Sequence, residues 1–465
     1  MNLSMHRFFF VNFSHHIFTF NFISGDCDSD NDCVPGLFCF QRGSYQEVPG
    51  CDGGESDGSK TDYCTDQLAP TAAPYLLEPP PKGSITYRPG NLTTFKDDLL
   101  LSEGLDAKLI ATSGWPVALS DGTGYSNDTF HGRPDGAATF AFGNPKNNNG
   151  GFVYVSNSEM LTPGKGGVGA ITFDNDGNVL QYKRLLQNTT WNCGGGASPW
   201  NTWLSCEEYE AQGQIYQVDP FGIRPPQVTS FPRGRWEAFA YDVRNPETPR
   251  FFATEDRHNG ALARFTPSNP KWNSLSKQWN MLHGTGIMEY LLLSPISTTQ
   301  QDAGTFSWTT DRSTAQSNAA AYYPHTEGID VHEGIMYVTC KKIKMLYLLD
   351  LDQGTYTRLS SQSGLFDGSP DQVSRIVDDP RGDLLYFTEE GGQDAGVHAR
   401  DALGRFYTIL ESPVHSGETT GLAFSPNGKF LLVAYQTVGK LYLVWRRDGL
   451  PFYGDKLDVK YHEAN

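Results

Sequence analysis

A strand-like segment with a fixed ending recurs six times along this chain. Each copy is an apolar run that ends in a small residue, usually with a hydroxyl group, as in "FVYVSNSE" at 152 and "LYFTEEGG" at 385. Aligned on this small residue, the copies are 49, 49, 85, 49 and 46 residues apart, at Ser156, Ser205, Thr254, Thr339, Thr388 and Ala434. Units of this length bury their apolar faces against neighbouring copies.

Most copies are flanked by further strand-like segments. One of them follows "GIDVHEG" and precedes "KMLYLLDLDQGTYTRL". About four short strands in a period of 40–50 residues is typical of a propeller blade. The sequence therefore predicts an all-β fold, a six-bladed β-propeller over residues 91–465, with an insertion between Thr266 and His325 that lies over one face of the disc.

The N-terminus has the features of an export signal. Residues 1–24 are rich in Phe and Ile with an arginine near the start, although Asn, Ser and His interrupt the apolar run. This composition predicts a signal peptide, with a membrane-surface anchor or a mis-set start codon as alternatives. The run is too short and too polar for a transmembrane span, and no other stretch predicts one. We expect a secreted, extracellular protein.

Five of the eight cysteines crowd into residues 25–66, among Gly, Ser and Asp with few apolar residues. Such a segment cannot fold on a hydrophobic core, so we predict a disulfide-rich module; a calcium site on its alternating aspartates is the alternative. Residues 67–90 are proline-rich and predict a semi-rigid linker. The module and linker suggest a possible contact with the cell surface or matrix. Sequons at Asn91, Asn127 and Asn188 fit export.

The charge balance of the chain limits the classes of binding partner that we expect. The formal net charge is −17 and no Lys/Arg-rich block occurs, so nucleic-acid binding is not expected.

In a propeller, equivalent strand ends converge on the central channel, which brings acidic residues together. Four of them follow the repeat strands: Glu255, Glu389, Glu207 and Glu208. Three more precede the first strands, at steps of 90 and 91 residues: Glu237, Glu327 and Glu418. Converging carboxylates repel unless cations compensate them. The sequence therefore predicts a metal site.

A thiol lies among these acids in "WNTWLSCEE". Hard carboxylates suit calcium or magnesium, whereas a thiolate such as that of Cys206 favours iron or zinc. A disulfide of Cys206 with Cys193 or Cys340 is the alternative in an exported protein. The residues alone leave both open.

Five segments together resemble the PhoX-type alkaline phosphatases: "NCGGGASPWNTWLSCEE", "EAFAYD", "FFATEDRHNGALARFTP", "EGID" and "ETTGLAFSPNGKFLLVAYQ". The resemblance covers roughly residues 115–450, is most specific at the Cys-Glu-Glu strand end, and leaves the Cys-rich module outside. It implies a six-bladed propeller with a central iron–calcium cluster that hydrolyses phosphomonoesters. It also implies that Cys206 binds iron and that the metals are bound by Glu207, Glu237, Glu255, Glu327 and Glu418.

The chain departs from this family at one position. Where the phosphatases have an arginine that clamps phosphate, two residues before the glutamate of "EG", this chain has His325. Histidine offers at most one donor to a phosphate, whereas arginine offers a bidentate fork. His325 and Arg257 are therefore the candidate catalytic residues, with His258 and Arg312 as further substitutes for the arginine; each substitute also fits an ordinary surface residue.

Two other functions remain open. A calcium-dependent propeller hydrolase for lactones or phosphotriesters would use the same channel without needing Cys206. A non-catalytic extracellular propeller would use the metals as a structural plug and bind a protein or glycan on its loops. The phosphatase interpretation instead predicts a small phosphorylated substrate, with no Ser-His-Asp signature required.

Overall fold

The computed structural model describes residues 38–40, 63–65 and 86–461, except 91, 121, 123, 144–149, 363–365, 367, 375–383, 393, 402–404 and 453–455. It divides into two compact units, Met1–Leu76 with Asn465, and Leu77–Ala464. In the first unit, β1 (Phe38–Phe40) and β2 (Tyr63–Thr65) pair antiparallel, with Cys39 opposite Cys64. The predicted signal peptide and nearly all of the predicted module lie outside the described residues.

The second unit begins with six short strands before its first complete sheet. They are β3 (Thr86–Gly90), β4 (Leu92–Lys96), β5 (Leu99–Ser102), β6 (Leu105–Thr112), β7 (Pro116–Ala118) and β8 (Tyr125–Thr129). The last part of the predicted linker is therefore a strand, β3. None of the helices in the described ranges is long and apolar enough to cross a membrane.

Two four-stranded antiparallel sheets follow in chain order. The first consists of β9 (Pro134–Phe142), β10 (Gly151–Ser158), β11 (Gly166–Asp174) and β12 (Val179–Thr189). The second consists of β13 (Asn192–Ala197), β14 (Trp203–Glu207), β15 (Ile215–Val218) and β16 (Gln227–Val228).

The middle of the chain forms a sheet of nine strands. One part consists of β17 (Trp236–Asp242), β18 (Arg250–Glu255), β19 (Ala263–Pro267), β20 (Gly286–Pro295) and β21 (Ala303–Thr309), with helix α1 (Leu275–Asn280) before β20. After helix α2 (Arg312–Tyr322) come β22 (Thr326–His332), β23 (Ile335–Cys340), β24 (Met345–Asp350) and β25 (Thr355–Ser360). Because β21 pairs with β25, the strands of the predicted insertion extend the outer edge of the sheet.

The last strands close the fold on its beginning. They are β26 (Ser369–Ser374), β27 (Leu384–Glu390), β28 (Gly396–Asp401) and β29 (Phe406–Glu411), then β30 (Thr419–Phe424), β31 (Phe430–Tyr435), β32 (Lys440–Arg446) and β33 (Lys456–Tyr461). The early strand β6 pairs with β32 and completes the last sheet, while β29 also pairs with β33 and β5.

The first strand of each unit of four lies at the centre. These strands contact one another in a closed series, β9 with β13, then β17, β22, β26, β30 and again β9. Together they line a cavity of about 390 Å³. The second unit is thus an all-β, propeller-like arrangement, as the repeats predict.

Burial explains why the second strands are so apolar. All eight residues of β10 are buried, because both faces of its sheet pack against neighbouring elements, whereas the outer strand β12 is largely exposed between its buried positions. Each small residue used to align the repeats lies in a second strand, namely β10, β14, β18, β23, β27 or β31. The predicted repeat strands are therefore confirmed.

A buried hydrogen bond joins the first complete sheet to the last. Tyr154 of β10 is 0% exposed, and its hydroxyl donates to the Gly421 carbonyl oxygen of β30 at 2.9 Å. We expect Tyr154→Phe to lower the free energy of unfolding by about 1–2 kcal/mol, because it leaves a buried carbonyl without its donor.

The control is Tyr125→Phe, since Tyr125 is 69% exposed. Urea unfolding of both variants measures the difference. Equal midpoints for the two variants would show that this bond does not stabilise the closure.

Candidate metal centre

One residue from the start of each central strand contributes to a common site. Four of these residues are the second of their strand, one is the third, and one immediately precedes its strand. They comprise five carboxylates and one thiol, and we call them the first-strand ring: Asp135, Cys193, Glu237, Glu327, Asp371 and Glu418.

A β-bulge accompanies most of these residues. In β17, Trp236 pairs with Glu255 and Phe239 pairs with Ala253, so the two residues 237 and 238 face a single residue of β18. The ring residues of β9, β13, β22 and β26 also lie within register shifts of their strands. A bulge changes the direction of a side chain and increases the local twist. Here the bulges occur at the residues whose side chains point toward the centre.

The repeated hydroxyl residues fix this geometry between neighbouring sheets. The Thr254 hydroxyl accepts a hydrogen bond from the Ala238 amide at 2.9 Å and donates to the Glu327 carbonyl oxygen at 2.7 Å. Likewise, the Thr339 hydroxyl donates to the Asp371 carbonyl oxygen at 2.8 Å. These two hydroxyls therefore each hold the backbone of a ring residue in the next group of strands.

The first-strand ring contains one complete group of potential ligands and the thiol of a second group. Glu237, Glu327 and Asp371 each offer an oxygen, and these atoms lie within 4.8 Å of one another. The Cys193 Sγ lies 3.4 Å from Glu237 Oε1 and 3.7 Å from Asp135 Oδ2. One group is therefore all oxygen, and the thiol lies beside it.

A second circle of side chains follows the second strands. These residues come at or directly after the ends of β10, β14, β18, β23, β27 and β31, and we call them the second-strand ring: Glu159, Glu208, Asp256, Lys341, Glu390 and Gln436. Glu159 and Glu208 form the second potential ligand group with Cys193, again within 4.8 Å. The Gln436 amide donates to Asp135 Oδ2 at 2.6 Å and Glu418 Oε1 at 3.3 Å, which links the two rings.

Burial and mutual repulsion oppose ionisation of these acids. Burial, followed by the charges of other ring acids, raises the pKa of Glu237 and Glu418 well above the usual range. Burial also raises the pKa of Glu159 to about 7 and that of Glu208 to about 9. Burial raises the pKa of the Cys193 thiol, and the nearby carboxylates raise it further.

Three basic side chains offset part of this charge. Arg133 pairs with Glu159 at 2.8 Å, Arg235 pairs with Glu208, and Lys341 pairs with three acids. The two rings contain nine carboxylates, so three basic side chains leave most of the negative charge uncompensated. Further cations would stabilise the cluster.

Three of the predicted metal ligands lie in the first-strand ring. Glu237, Glu327 and Glu418 occupy equivalent places at the starts of β17, β22 and β30, in agreement with their spacing of 90 and 91 residues. Glu237 and Glu327 belong to the all-oxygen group, whereas Glu418 contacts Gln436.

The structure places the other three predicted ligands outside both rings. Cys206 is buried in an apolar cluster with Leu204 and Trp236. Glu207 accepts the backbone N–H groups of residues 190 and 214, and Glu255 pairs with Arg312 at 2.8 Å. Glu207 and Glu255 directly precede the ring residues Glu208 and Asp256, and successive side chains of a strand point to opposite faces. The described cysteines, Cys193, Cys206 and Cys340, are all free, so the disulfide alternative is not observed.

The two predicted catalytic residues lie beside the second-strand ring. The His325 Nδ1 lies 2.6 Å from Asp256 Oδ1, and His325 has a positive φ of 55°. Arg257 follows Asp256, and its backbone carbonyl accepts the His325 amide at 3.1 Å. Of the other substitutes, His258 is exposed and Arg312 binds Glu255. The contact with Asp256 therefore fixes the orientation of the His325 ring, whereas Arg257 binds the His325 amide through its backbone carbonyl oxygen.

Sequence reasoning missed half of the first-strand ring: Asp135, Cys193 and Asp371. Two of the three stand at the repeat spacing, because Cys193 precedes Glu237 by 44 residues and Asp371 follows Glu327 by 44. A half-step of 45 residues before Glu237 or after Glu327 falls within one residue of Cys193 or Asp371. Lys341 was also missed as a channel residue, because the strand alternation was assigned one residue too early.

The donor atoms fit bound metal ions. The Glu237 Oε2 atom is buried and has no hydrogen-bond partner within the described residues, although leaving a buried acceptor unpaired costs about 1–3 kcal/mol. The all-oxygen group suits a hard cation such as calcium, and the group with a thiol suits a softer one such as iron or zinc. Both fit the cluster that the resemblance implies.

Comparison with known proteins supports that resemblance. The family model for alkaline phosphatase PhoX matches residues 180–326, which include Cys193, Glu208 and Glu237. PhoX of Pseudomonas fluorescens, solved with vanadate, a transition-state analogue, matches with a TM-score of 0.61 and 14% identity, over 79% of this chain and 99% of that chain. An identity this low supports the fold alone.

Two other structures match weakly. A gluconolactonase of Xanthomonas campestris matches with a TM-score of 0.37 and 14% identity, over 73% of this chain and 97% of that chain. A virginiamycin B lyase of Staphylococcus aureus matches with a TM-score of 0.39 and 11% identity, over 73% of this chain and 99% of that chain. These scores support no argument about function. A search of curated proteins found no match. The resemblance to the PhoX-type alkaline phosphatases is thus confirmed, in sequence over residues 180–326 and in fold over most of the chain.

Proposed function

We propose that this protein is a metal-dependent phosphatase that hydrolyses phosphomonoesters at a metal cluster in the propeller channel. The observation that carries the proposal is the concentration of buried carboxylates and one thiol at the starts of the central strands. The resemblance to the PhoX phosphatases supports the same activity.

The two groups of potential ligands suit different metals. Calcium would bind to the oxygens of Glu237, Glu327 and Asp371, and iron would bind to the Cys193 thiolate with Glu159 and Glu208. When bound, these metals would supply Lewis acidity and neutralise the phosphate charge. Cys193 takes the place that the sequence assigned to Cys206, because only Cys193 approaches the acids of the ring within hydrogen-bonding distance.

The chain's own residues would orient the substrate. Arg133 and Arg235 are partly exposed and carry their charges next to Glu159 and Glu208, where they favour an incoming phosphate. Asp256 binds the His325 Nδ1, which leaves Nε2 to contact a phosphate oxygen. Arg257 is a further cation of the same loop.

The proposal includes six blades and export. The closed series of six central strands, each starting its own group of strands, supports the blade count. Export is supported by the predicted signal peptide and the exposed sequons at Asn127 and Asn188. The disulfides of residues 25–66, and the contact of that module with a surface or matrix, stay predictions.

The thiol provides the first test. We expect Cys193→Ser to lose bound iron and at least 100-fold in phosphomonoester hydrolysis, because a hydroxyl is a much weaker ligand for that metal. Metal analysis by mass spectrometry and an assay with an aryl phosphate, with and without vanadate, measure both effects on the same samples.

Cys206→Ser and Cys340→Ser are matched controls, because both thiols are buried outside the two rings. We expect these controls to retain metal and activity. Loss of iron in Cys206→Ser instead would support the ligand that the resemblance implied. Hydrolysis of lactones or phosphotriesters that survives Cys193→Ser would favour a calcium-dependent hydrolase, and metal binding without any turnover would favour a binding propeller.

The raised pKa values predict how metals and pH act together. A carboxyl group with a raised pKa stabilises the fold when protonated, and this stability is lost as the pH rises through the folded pKa, about 7 for Glu159 and about 9 for Glu208. Protein freed of metal by a chelator should therefore lose stability between pH 5 and pH 9, by an amount on the order of a few kcal/mol.

Thermal unfolding across this pH range measures the effect. Added calcium and iron should raise the midpoint more at pH 9 than at pH 6, since metals bind the deprotonated ligands. A metal-induced shift that is equal at both pH values would contradict the assignment of these acids as ligands. The variant Asp448→Asn is the control, because that carboxylate is exposed and pairs only with groups outside the rings.

A further inference from the structure

Lys341 differs in charge from every equivalent residue of the second-strand ring. The corresponding positions of the other sheets hold four carboxylates and one amide: Glu159, Glu208, Asp256, Glu390 and Gln436. The lysine therefore places a positive charge where the repeat elsewhere places an acid or a neutral group.

The Lys341 ammonium is bound by acids from three groups of strands. Its Nζ lies 2.7 Å from Glu327 Oε1, 2.7 Å from Glu390 Oε2 and 3.2 Å from Asp256 Oδ2. At these distances the three carboxylates form ion pairs with the ammonium and offset its charge. Its side chain is only 15% exposed, which weakens screening of the three ion pairs by water.

The backbone holds this lysine in place. The Lys341 amide donates to the His325 carbonyl oxygen at 3.0 Å, and the Lys341 carbonyl accepts the Lys344 amide at 3.2 Å. The preceding residue, Cys340, pairs with Thr326 at the end of β23. The ammonium is thus a fixed part of the cluster, like the acids that surround it.

On the opposite side of the cluster, Arg133 and Arg235 pair with Glu159 and Glu208. Glu237 pairs with no basic side chain among the described residues; it is 1% exposed, and its Oε1 lies 3.4 Å from the Cys193 Sγ. Negative charge is therefore compensated from within the protein at Glu327, Glu390 and Asp256, and left uncompensated at Glu237.

We propose that the Lys341 ammonium permanently occupies one cation position of the two rings, so that metal ions bind only on the side of Glu237 and Cys193. The cluster then holds one metal ion fewer than its carboxylates could accommodate. This inference rests on the metal cluster of the proposed function, but not on the phosphatase reaction.

Removal of the ammonium should open the position to a metal. We expect Lys341→Met to bind one more calcium ion per chain than the wild type, because Asp256, Glu390 and the Oε1 atom of Glu327 lose the ammonium and can act as oxygen ligands. Its thermal unfolding should also depend more strongly on calcium, since the ion replaces a buried counter-charge. Equilibrium dialysis against calcium, followed by metal analysis, gives the stoichiometry.

Two variants serve as controls. Lys342→Met removes an exposed charge from the adjacent position and should bind calcium as the wild type does. Lys341→Arg keeps the positive charge and should not gain an ion. An unchanged or lower calcium content in Lys341→Met, a gain in Lys341→Arg, or a Lys341→Met protein that fails to fold even with calcium would each overturn the inference.

The calcium count separates this inference from the proposed function. A gain of calcium in Lys341→Met, with no phosphatase activity in the wild type, would support the built-in cation and refute the phosphatase. Phosphatase activity in the wild type, with no gain of calcium in Lys341→Met, would support the phosphatase and refute the built-in cation.

Discussion

The repulsion among carboxylates at the starts of the central strands is the constraint on which the rest of this structure depends. Glu237, Glu327 and Asp371 are buried within a few ångströms of one another, and three different central strands, β17, β22 and β26, hold them there. Such a cluster cannot persist ionised without compensation. The bulges that aim the acids and the hydroxyls that fix them, such as Thr254, keep the charges converged so that cations can compensate them.

The sequence predicted the repeat but not which face of each strand enters the channel. Glu237, Glu327 and Glu418 lie at equivalent places at the starts of central strands, although the step of 90 residues spans one group of strands with its insertion and the step of 91 spans two groups. Glu255 was taken as a channel residue because it directly follows the hydroxyl residue Thr254, whereas the next residue, Asp256, lies in the ring. Since side chains alternate along a strand, an offset of one residue exchanges the channel for the packing between sheets. The bulges, which reset the register at Cys193 and Asp371, leave no signal in composition.

Positive charge at the site is local, although the whole protein is acidic. The formal net charge of −17 would repel a phosphate at long range, but salt screens that repulsion beyond roughly 10 Å. Arg133, Arg235 and Lys341 lie directly against the acids of the second-strand ring, and Arg235 also lies over the Trp191 ring at 5.9 Å. An anionic substrate and cationic metals can therefore meet at one place, since acids and bases alternate there over short distances.

A propeller allows each sheet to change its contribution to the centre independently. The same structural position is a thiol in Cys193 and a carboxylate in Asp371, and in the second-strand ring it is an amide in Gln436 and an ammonium in Lys341. None of these exchanges alters the strand that carries the residue, because the strand is held by its neighbours and by the repeated hydroxyls. Single side chains on a constant scaffold therefore determine which cations this centre could bind, which is why the fold alone does not specify the chemistry.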